Sequence, residues 1–493
     1  MSRTSEAHLA DRTFFGQPQA MANLFGVEMW ERFSFYGMQG ILLIYLYYSA
    51  ARGGLGIDQS EATSIVGAYG GLVYLSTVLG AWLADRVLGA EATLFASAVV
   101  VMCGHIALSV LPGLLGVGVG LVLIALGSGG VKATATTLVG MLYAREDGRR
   151  EAGFALYYLG INLGGLVGPL LTGLVQTSLG FRAGFGLAAV GMAFGLAQYS
   201  VGRRKFSASA REVPSPLPAD QRWPVVALVG AALVAIGLLF LLGVLTPGRL
   251  AGAVVVATIV ATVAYFTVIL TSRRITRVER RRVLAFVPMF LASAAFWSLY
   301  QQQFTVLTIY ADTQLDRSIL GWEMPVAWIQ AVNPVFIILL SGAFAGLWTA
   351  LGPRQPSSPV KFALATAVMG VGFLLFLPIA GDGPNSAPLM GVIGILFVFT
   401  VAELLLSPVG LALSTKLAPQ AFRSQMVALF FLSIALGSAL SGVLAGYFDT
   451  SDESPYFAIL GTVAVVLGVL LAAAAPYLHR MMAGADGPVT APR

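Results

Sequence analysis

Charge is what this sequence most lacks. Of its 493 residues, 11% are Asp, Glu, Lys or Arg, while 57% are hydrophobic. Soluble domains carry about a quarter charged residues. A water-soluble fold of this length has nowhere to put so much apolar surface, whereas lipid accommodates it. Cysteine is nearly missing too: Cys103 stands alone, which excludes an internal disulfide and a cysteine-based metal cluster. Three histidines provide no usual metal constellation, so no metal is expected. Neither a nucleophile with its base nor a His-Glu-x-x-His set is present, so an intramembrane enzyme is not expected. No large soluble domain supports a purely sensory role. The first 20 residues are polar and hold no apolar core of a signal peptide.

What is there is apolar length. A spanning helix needs about 20 mostly apolar residues. Fourteen such runs occur, the first at 22–48 and the last at 456–479. One or two could be core helices of a soluble protein; fourteen could not. The formal net charge is +6, and its placement argues against a nucleic-acid partner. With the N-terminus in the cytoplasm and the runs alternating, 23 of the 29 Lys and Arg fall on the cytoplasmic side. Four fall outside: Arg52, Arg182, Arg249 and Arg317. This is the positive-inside pattern. It predicts a multi-pass protein of the cytoplasmic membrane with both termini in the cytoplasm. The basic runs Arg203-Arg204-Lys205 and Arg273 to Arg282 then read as topology signals or lipid contacts.

The chain parses into a cytoplasmic segment at 1–21, a six-helix bundle at 22–201 and a polar linker at 202–222. An inserted hairpin follows at 223–272, then a second six-helix bundle at 273–480 and a tail at 481–493. Glycine-rich stretches such as Gly127 to Gly130 and Gly160, Gly164, Gly165, Gly168 read as close-packing helix surfaces. Folds of two such halves place substrate near the bilayer midplane.

Ionisable residues deep in a membrane are costly and mark functional sites. Glu28, Glu31 and Arg32 lie on one face of the first helix by their spacing. Arg32 neutralises one carboxylate and leaves the other to bind a proton; a static ion-pair network is the alternative. Lys132, in the fourth run, and Glu403, in the run at 387–412, each need a partner of opposite charge. Together they can clamp a zwitterion, carboxylate to lysine and ammonium to glutamate, or each can pair within the protein. Gly80, Asp85 and Arg86, at the end of the second run, suit gating or structure rather than substrate contact.

The segment Glu28-Met-Trp-Glu31-Arg32-Phe33-Ser34-Phe35-Tyr36-Gly37 resembles the E-x-x-E-R-F-x-x-Y-G signature of proton-coupled oligopeptide transporters. Gly80 to Gly89 resembles the loop motif of the major facilitator superfamily. Leu156 to Gly165, Phe296 to Gln302, Asn333-Pro334 and Glu403 to Leu411 are similar to later family motifs, in family order. The resemblance implies an all-α major facilitator fold, twelve core helices plus an inserted pair. It implies a symporter importing di- or tripeptides with protons, with no other cofactor and no obligate protein partner besides the surrounding lipid. Glu28, Glu31, Arg32 and Lys132 would couple the proton, Lys132 pairing with Glu31 or with the peptide carboxylate. Tyr36, Gln39, Tyr74, Asn162, Trp297, Gln301, Asn333, Glu403 and Ser407 would line the peptide site. A drug exporter, or a carrier of another small zwitterion or anion, is the alternative. Three departures stand out. The family Arg is Gln39 and the family Glu is Gln301, so a salt bridge between the halves would become a weaker Gln–Gln hydrogen bond. The second-helix His of animal members is Gly67.

Overall fold

The computed structural model describes residues 14–144, 147–380 and 383–482. The outermost parts of the expected N-terminal segment and C-terminal tail, 1–13 and 483–493, lie outside the described residues. Helix dominates, as the apolar runs require, because backbone polar groups in lipid must be satisfied within their own segment. The first four long helices are α1 Gln19–Tyr47, α2 Gln59–Leu83, α3 Ala90–Val110 and α4 Gly113–Met141. They are followed by α5 Arg150–Leu179, α6 Phe181–Gly202, α7 Ala219–Leu241 and α8 Leu250–Thr271. Then come α9 Arg277–Tyr300, the short α10 Val306–Thr313, α11 Val332–Leu351 and α12 Ser358–Leu374. The series closes with α13 Leu389–Lys416, α14 Arg423–Ala445 and α15 Ser454–Met482. Leaving α10 aside, this gives fourteen long helices among the described residues. Thirteen of the spans are long and apolar enough to cross a membrane; α1, which carries Glu28, Glu31 and Arg32, is not among them.

Local chemistry sets the ends. Asp58 accepts from the Ser60 amide at 2.8 Å and caps α2; those Ser60 bonds hold its carboxyl below the usual carboxylate range. Thr276 and Glu279 form a reciprocal capping box on α9. Gly89, at φ +79°, separates α2 from α3 through a backbone conformation that L residues avoid. The ninth of the fourteen apolar runs, at 283–310, is not one continuous helix. A 3-10 turn over Gln301–Phe304 leads to Thr305 at φ −122°, ψ −93°, outside helical values, before α10 resumes.

The chain forms two compact units. The first holds the described residues up to Ile65 with Leu72–Leu250 and Pro325–Pro334. The second holds Val66–Gly71, Ala251–Met324 and the described residues from Val335 onward. In the first, α1 packs against α5 and α6, and α3 against α4. Glycines set the approach: a Cβ on Gly164 would meet the Met29 carbonyl oxygen and, at 2.8 Å, Arg32 Cβ. A Cβ on Gly80 would come 2.5 Å from Gly130 Cα, so the Gly-rich surfaces are contact surfaces. Trp328 Nε1 donates to the Leu170 carbonyl at 3.0 Å, which ties the 325–334 segment to α5. In the second unit, α12 packs on α15 and α9 on α14. Ser293 and Ser433 share a buried hydrogen bond of 2.7 Å there. No residue of α7 is buried, and Leu228, Leu233, Val234 and Phe240 are exposed; such an apolar face belongs in lipid.

The linker at 202–222 is more structured than its Ser/Pro-rich composition suggests. It makes two 3-10 turns, Arg203–Lys205 and Ala208–Arg211, and then runs along the end of α2. The Ser215 amide donates to Asp85 O at 3.0 Å and the Leu217 amide to Arg86 O at 2.9 Å. Arg203, within a basic run expected as a topology signal or lipid contact, also binds the Glu91 carboxylate through two hydrogen bonds of 2.7 and 3.0 Å.

Candidate functional site

In the first unit α1 supplies a buried ionic cluster. Glu28 and Glu31 have no exposed surface and Arg32 has 8%. The Arg32 Nε and one terminal nitrogen both donate to Glu28 Oε1, at 2.9 and 2.7 Å. This is the i, i+4 pair that the spacing predicts. Arg32 Nε stands 3.5 Å from Glu31 Oε2, close enough to attract but not to bond. The other Glu31 oxygen accepts from Ser128 Oγ of α4 at 2.7 Å. Glu28 Oε2 and Glu31 Oε2 have no hydrogen-bond donor among the described residues. Two carboxylates and one guanidinium therefore bury one negative charge in excess, which is costly in a low-dielectric interior unless a cation or a proton answers it.

Lys132 follows Ser128 by one turn of α4. It is half-buried, and its ammonium lies 4.7 Å from the centre of the Phe35 ring and 5.8 Å from that of Tyr74. Both are cation–π distances. It makes no ion pair with Glu31, the protein partner that the family resemblance offered. Glu31 is engaged by Ser128 instead, and the lysine ammonium lies over aromatic faces. Tyr36 is half-buried beside Gly165, where a Cβ would come 3.2 Å from the Tyr36 ring and 3.3 Å from Pro334. Asn333 is buried in the same unit. Asn162 donates to the Tyr158 carbonyl at 2.9 Å, which fixes its amide. Gln39 is 3% exposed, and its Oε1 accepts no hydrogen bond.

In the second unit Glu403 of α13 is buried and accepts from the Tyr300 hydroxyl at 2.8 Å. Tyr300 stands on α9, edge-on to Trp297 at 5.2 Å between ring centres. The Trp297 Nε1 is buried without a partner. Gln301 donates to Ser438 Oγ of α14 at 2.9 Å, within its own unit. Ser407 is half-buried one turn after Glu403. Gly80 makes the close approach to α4 described above. Asp85 is exposed, while Arg86 donates to Ser215 Oγ at 2.9 Å.

Two groups escaped the sequence. His105 of α3 is fully buried, and neither ring nitrogen has a partner. Its signal was a lone imidazole within an apolar 21-residue helix; counting histidines only for metal sites passed over it. Tyr300 was quoted within a motif, but nothing in its spacing reveals that it holds Glu403, 103 residues away.

Comparison with known proteins gives one answer. A protein of Bacillus subtilis (strain 168) named as an uncharacterized transporter, YclF, is 40% identical over 476 residues, spanning 96% of each chain. A di-/tripeptide transporter of Lactococcus lactis subsp. cremoris is 38% identical over 475 residues, 94% of this chain and 96% of its own. The crystal structure of a peptide transporter in complex with alafosfalin superposes with a TM-score of 0.91 at 39% identity, covering 98% of this chain and 100% of that one. The fold is that of the major facilitator transporters. The POT family model matches residues 91–464, and with these relatives over nearly its whole length the chain belongs to the POT family of membrane transporters.

Proposed function

We propose that the protein is a proton-coupled symporter that imports di- and tripeptides across the cytoplasmic membrane by alternating access. Both termini lie in the cytoplasm, where 23 of the 29 Lys and Arg collect under this orientation. Its two six-helix halves, 22–201 and 273–480, flank the hairpin at 223–272, and protons serve as the coupling ion with no cofactor. The relatives named as peptide transporters support the substrate class.

The observation that carries the proton role is the α1 cluster. Arg32 is spent on Glu28, which leaves Glu31 with a serine hydroxyl and a guanidinium beyond bonding distance. One proton on Glu31 makes the buried cluster neutral, and its release restores the charge. Binding and release of that proton are thus linked to the packing of α1 against α4 and α5. Lys132 is the cation for a peptide carboxylate, because its charge has no carboxylate of its own. Glu403, held by Tyr300, is the anion for a peptide ammonium. Tyr36, Tyr74, Asn162, Asn333, Trp297 and Ser407 shape the site with Gln39 and Gln301, while Gly80, Asp85 and Arg86 act in gating.

Purified protein in liposomes is expected to accumulate a labelled dipeptide under an inward proton gradient. An uncoupler should abolish the accumulation, and so should Glu31→Gln. Absence of accumulation together with absence of dipeptide binding and counterflow overturns the peptide assignment.

A further inference from the structure

The α1 cluster holds one negative charge more than its arginine neutralises, and a second basic group lies beside it. On α3, Leu94, Ala98, Val101 and His105 follow one another at helical spacing, and all four are buried. The first three belong to a core cluster with Leu24 and Val27 of α1 and Val131 and Ala135 of α4. His105 continues that face by one turn, as Glu31 continues the α1 face one turn beyond Val27. The levels agree. Glu31 lies about 18 Å along α1 from its start, His105 about 22 Å along α3 from its start, and Ser128 about 20 Å back from the end of α4, at 1.5 Å per residue. Those three helix ends lie on one side of the membrane. Beside His105 the helices approach closely: a Cβ on Gly104 would come 2.6 Å from Ile124 Cγ1 of α4. Ile124 precedes Ser128, the donor to Glu31, by one turn.

A fully buried imidazole with two unpartnered nitrogens is expensive to keep, since each polar atom left without a hydrogen bond in an apolar interior costs on the order of 1–3 kcal/mol. We propose that His105 is a second proton-binding site, which exchanges the coupling proton with Glu31. The inference rests on the symport reading above. In one state the proton is on the Glu31 carboxyl and the imidazole is neutral. In the other the Glu31 O–H bond has broken, the proton is on a His105 ring nitrogen, and an imidazolium faces a carboxylate. The Ser128 hydroxyl, or a water beside it, passes the proton between them. Both states leave Glu28, Arg32, Glu31 and His105 with no net charge, so the proton moves without burying an uncompensated ion.

The charged groups on the elements packed against α3 are few: Asp85 and Arg86 in the 84–88 turn and Arg211 in the 208–211 turn lie beside the start of α3, about four turns from His105. On α1 they are Glu28, Glu31 and Arg32. On α4 there is Lys132, half-buried on its aromatic rings. On α6 there is Arg182, exposed at the helix start. Glu31 is the one at the level of His105 on the facing helix.

Two measurements test this. Full-length protein labelled at histidine has three imidazoles, and substituting His8 and His479 leaves the His105 signal alone. Glu31→Gln is expected to move the pH at which the His105 ring signals change by about one unit or more, the size of a close charge–charge effect. Unchanged titration overturns the proposal. In liposomes, His105→Leu is expected to displace the pH midpoint of gradient-driven dipeptide uptake by a similar amount, and a wild-type profile overturns it. The leucine removes the orphaned polar atoms, so poor folding is not anticipated; the spectroscopic arm retains His105 and decides the question if folding fails. Failure of the wild-type protein to accumulate peptide defeats the symport reading instead, and leaves the histidine titration to judge the proton site.

Discussion

Arg203→Ala is expected to destabilise the protein more than its half-exposed position suggests. Glu91 opens α3 with its side chain 2% exposed, while the Arg203 side chain is 30% exposed. Removing the arginine leaves a carboxylate in the interior with its principal donors gone. Breaking a buried pair from one side costs about 3–5 kcal/mol. Two features adjust that figure. Arg211 stands 3.9 Å from the other Glu91 oxygen, with its side chain 49% exposed, and can move in to recover part of the loss. Against this, the Arg203 guanidinium also lies 4.1 Å from the centre of the Phe95 ring, a contact that contributes about 0.5–1 kcal/mol. A net loss of about 3 kcal/mol follows from these terms.

The sign of the coupling is the sharper test. Glu91→Gln leaves Arg203 without its carboxylate, but that arginine reaches water and tolerates the change. In the double variant no charge remains buried, so it is expected to be more stable than Arg203→Ala alone, a coupling that adjacent partners typically show. A polytopic protein of this size unfolds irreversibly, so the comparison is of thermal midpoints in one detergent at one scan rate. The expected order from highest is wild type, Glu91→Gln, the double variant, Arg203→Ala. Arg203→Lys is expected above Arg203→Ala but below wild type, since lysine keeps the charge and loses the two-pronged geometry. If Arg203→Ala melts with or above Glu91→Gln, or if the double variant melts lowest, Glu91 does not depend on this arginine and the strap formed by the linker is not what secures it.

Two further perturbations separate packing from recognition. Gly164→Val drives a branched side chain into the Met29 carbonyl and Arg32 Cβ. It is expected to lower the thermal midpoint and abolish uptake together, whereas loss of uptake with an unchanged midpoint would contradict the packing argument. Lys132→Gln is expected to raise the KM for a dipeptide at least about tenfold, the weight of a lost charge-assisted hydrogen bond, and to affect a dipeptide ester much less; equal effects on both would remove Lys132 from carboxylate recognition.

Much of the architecture was legible because it rests on one requirement, that apolar length be buried in lipid. That requirement yields the helices whatever their neighbours. The i, i+4 bond from Arg32 to Glu28 was legible for a related reason, since both partners lie on one helix and spacing alone brings them together. The break at Thr305 was not. The sequence there, Gln301-Gln302-Gln303-Phe304-Thr305, holds neither proline nor glycine, so no local breaker marks the turn, and the Gln301 bond to Ser438, 137 residues away, lies outside what spacing reveals. The linker misled in the opposite direction. Its composition is that of a loose connector, but Arg203 finds Glu91 across 112 residues, and no local pattern announces such a pair.

A membrane interior turns this difference into a distinction between structural and working charges. Every buried ion needs an answer, and where the structure supplies one locally the ion is part of the framework. Glu28 has Arg32, and Glu91 has Arg203. Glu31 is answered only in part, by one hydroxyl and a guanidinium beyond bonding distance; Lys132 rests on ring faces; His105 has buried nitrogens without partners. Under the proposed symport these are the groups whose electrostatic and hydrogen-bonding demands a mobile species completes: a proton at Glu31 and His105, a carboxylate at Lys132. Sequence alone identifies which residues are costly to bury. Only the folded arrangement identifies which of those costs are already met, and therefore which residues are left to bind and release something that moves.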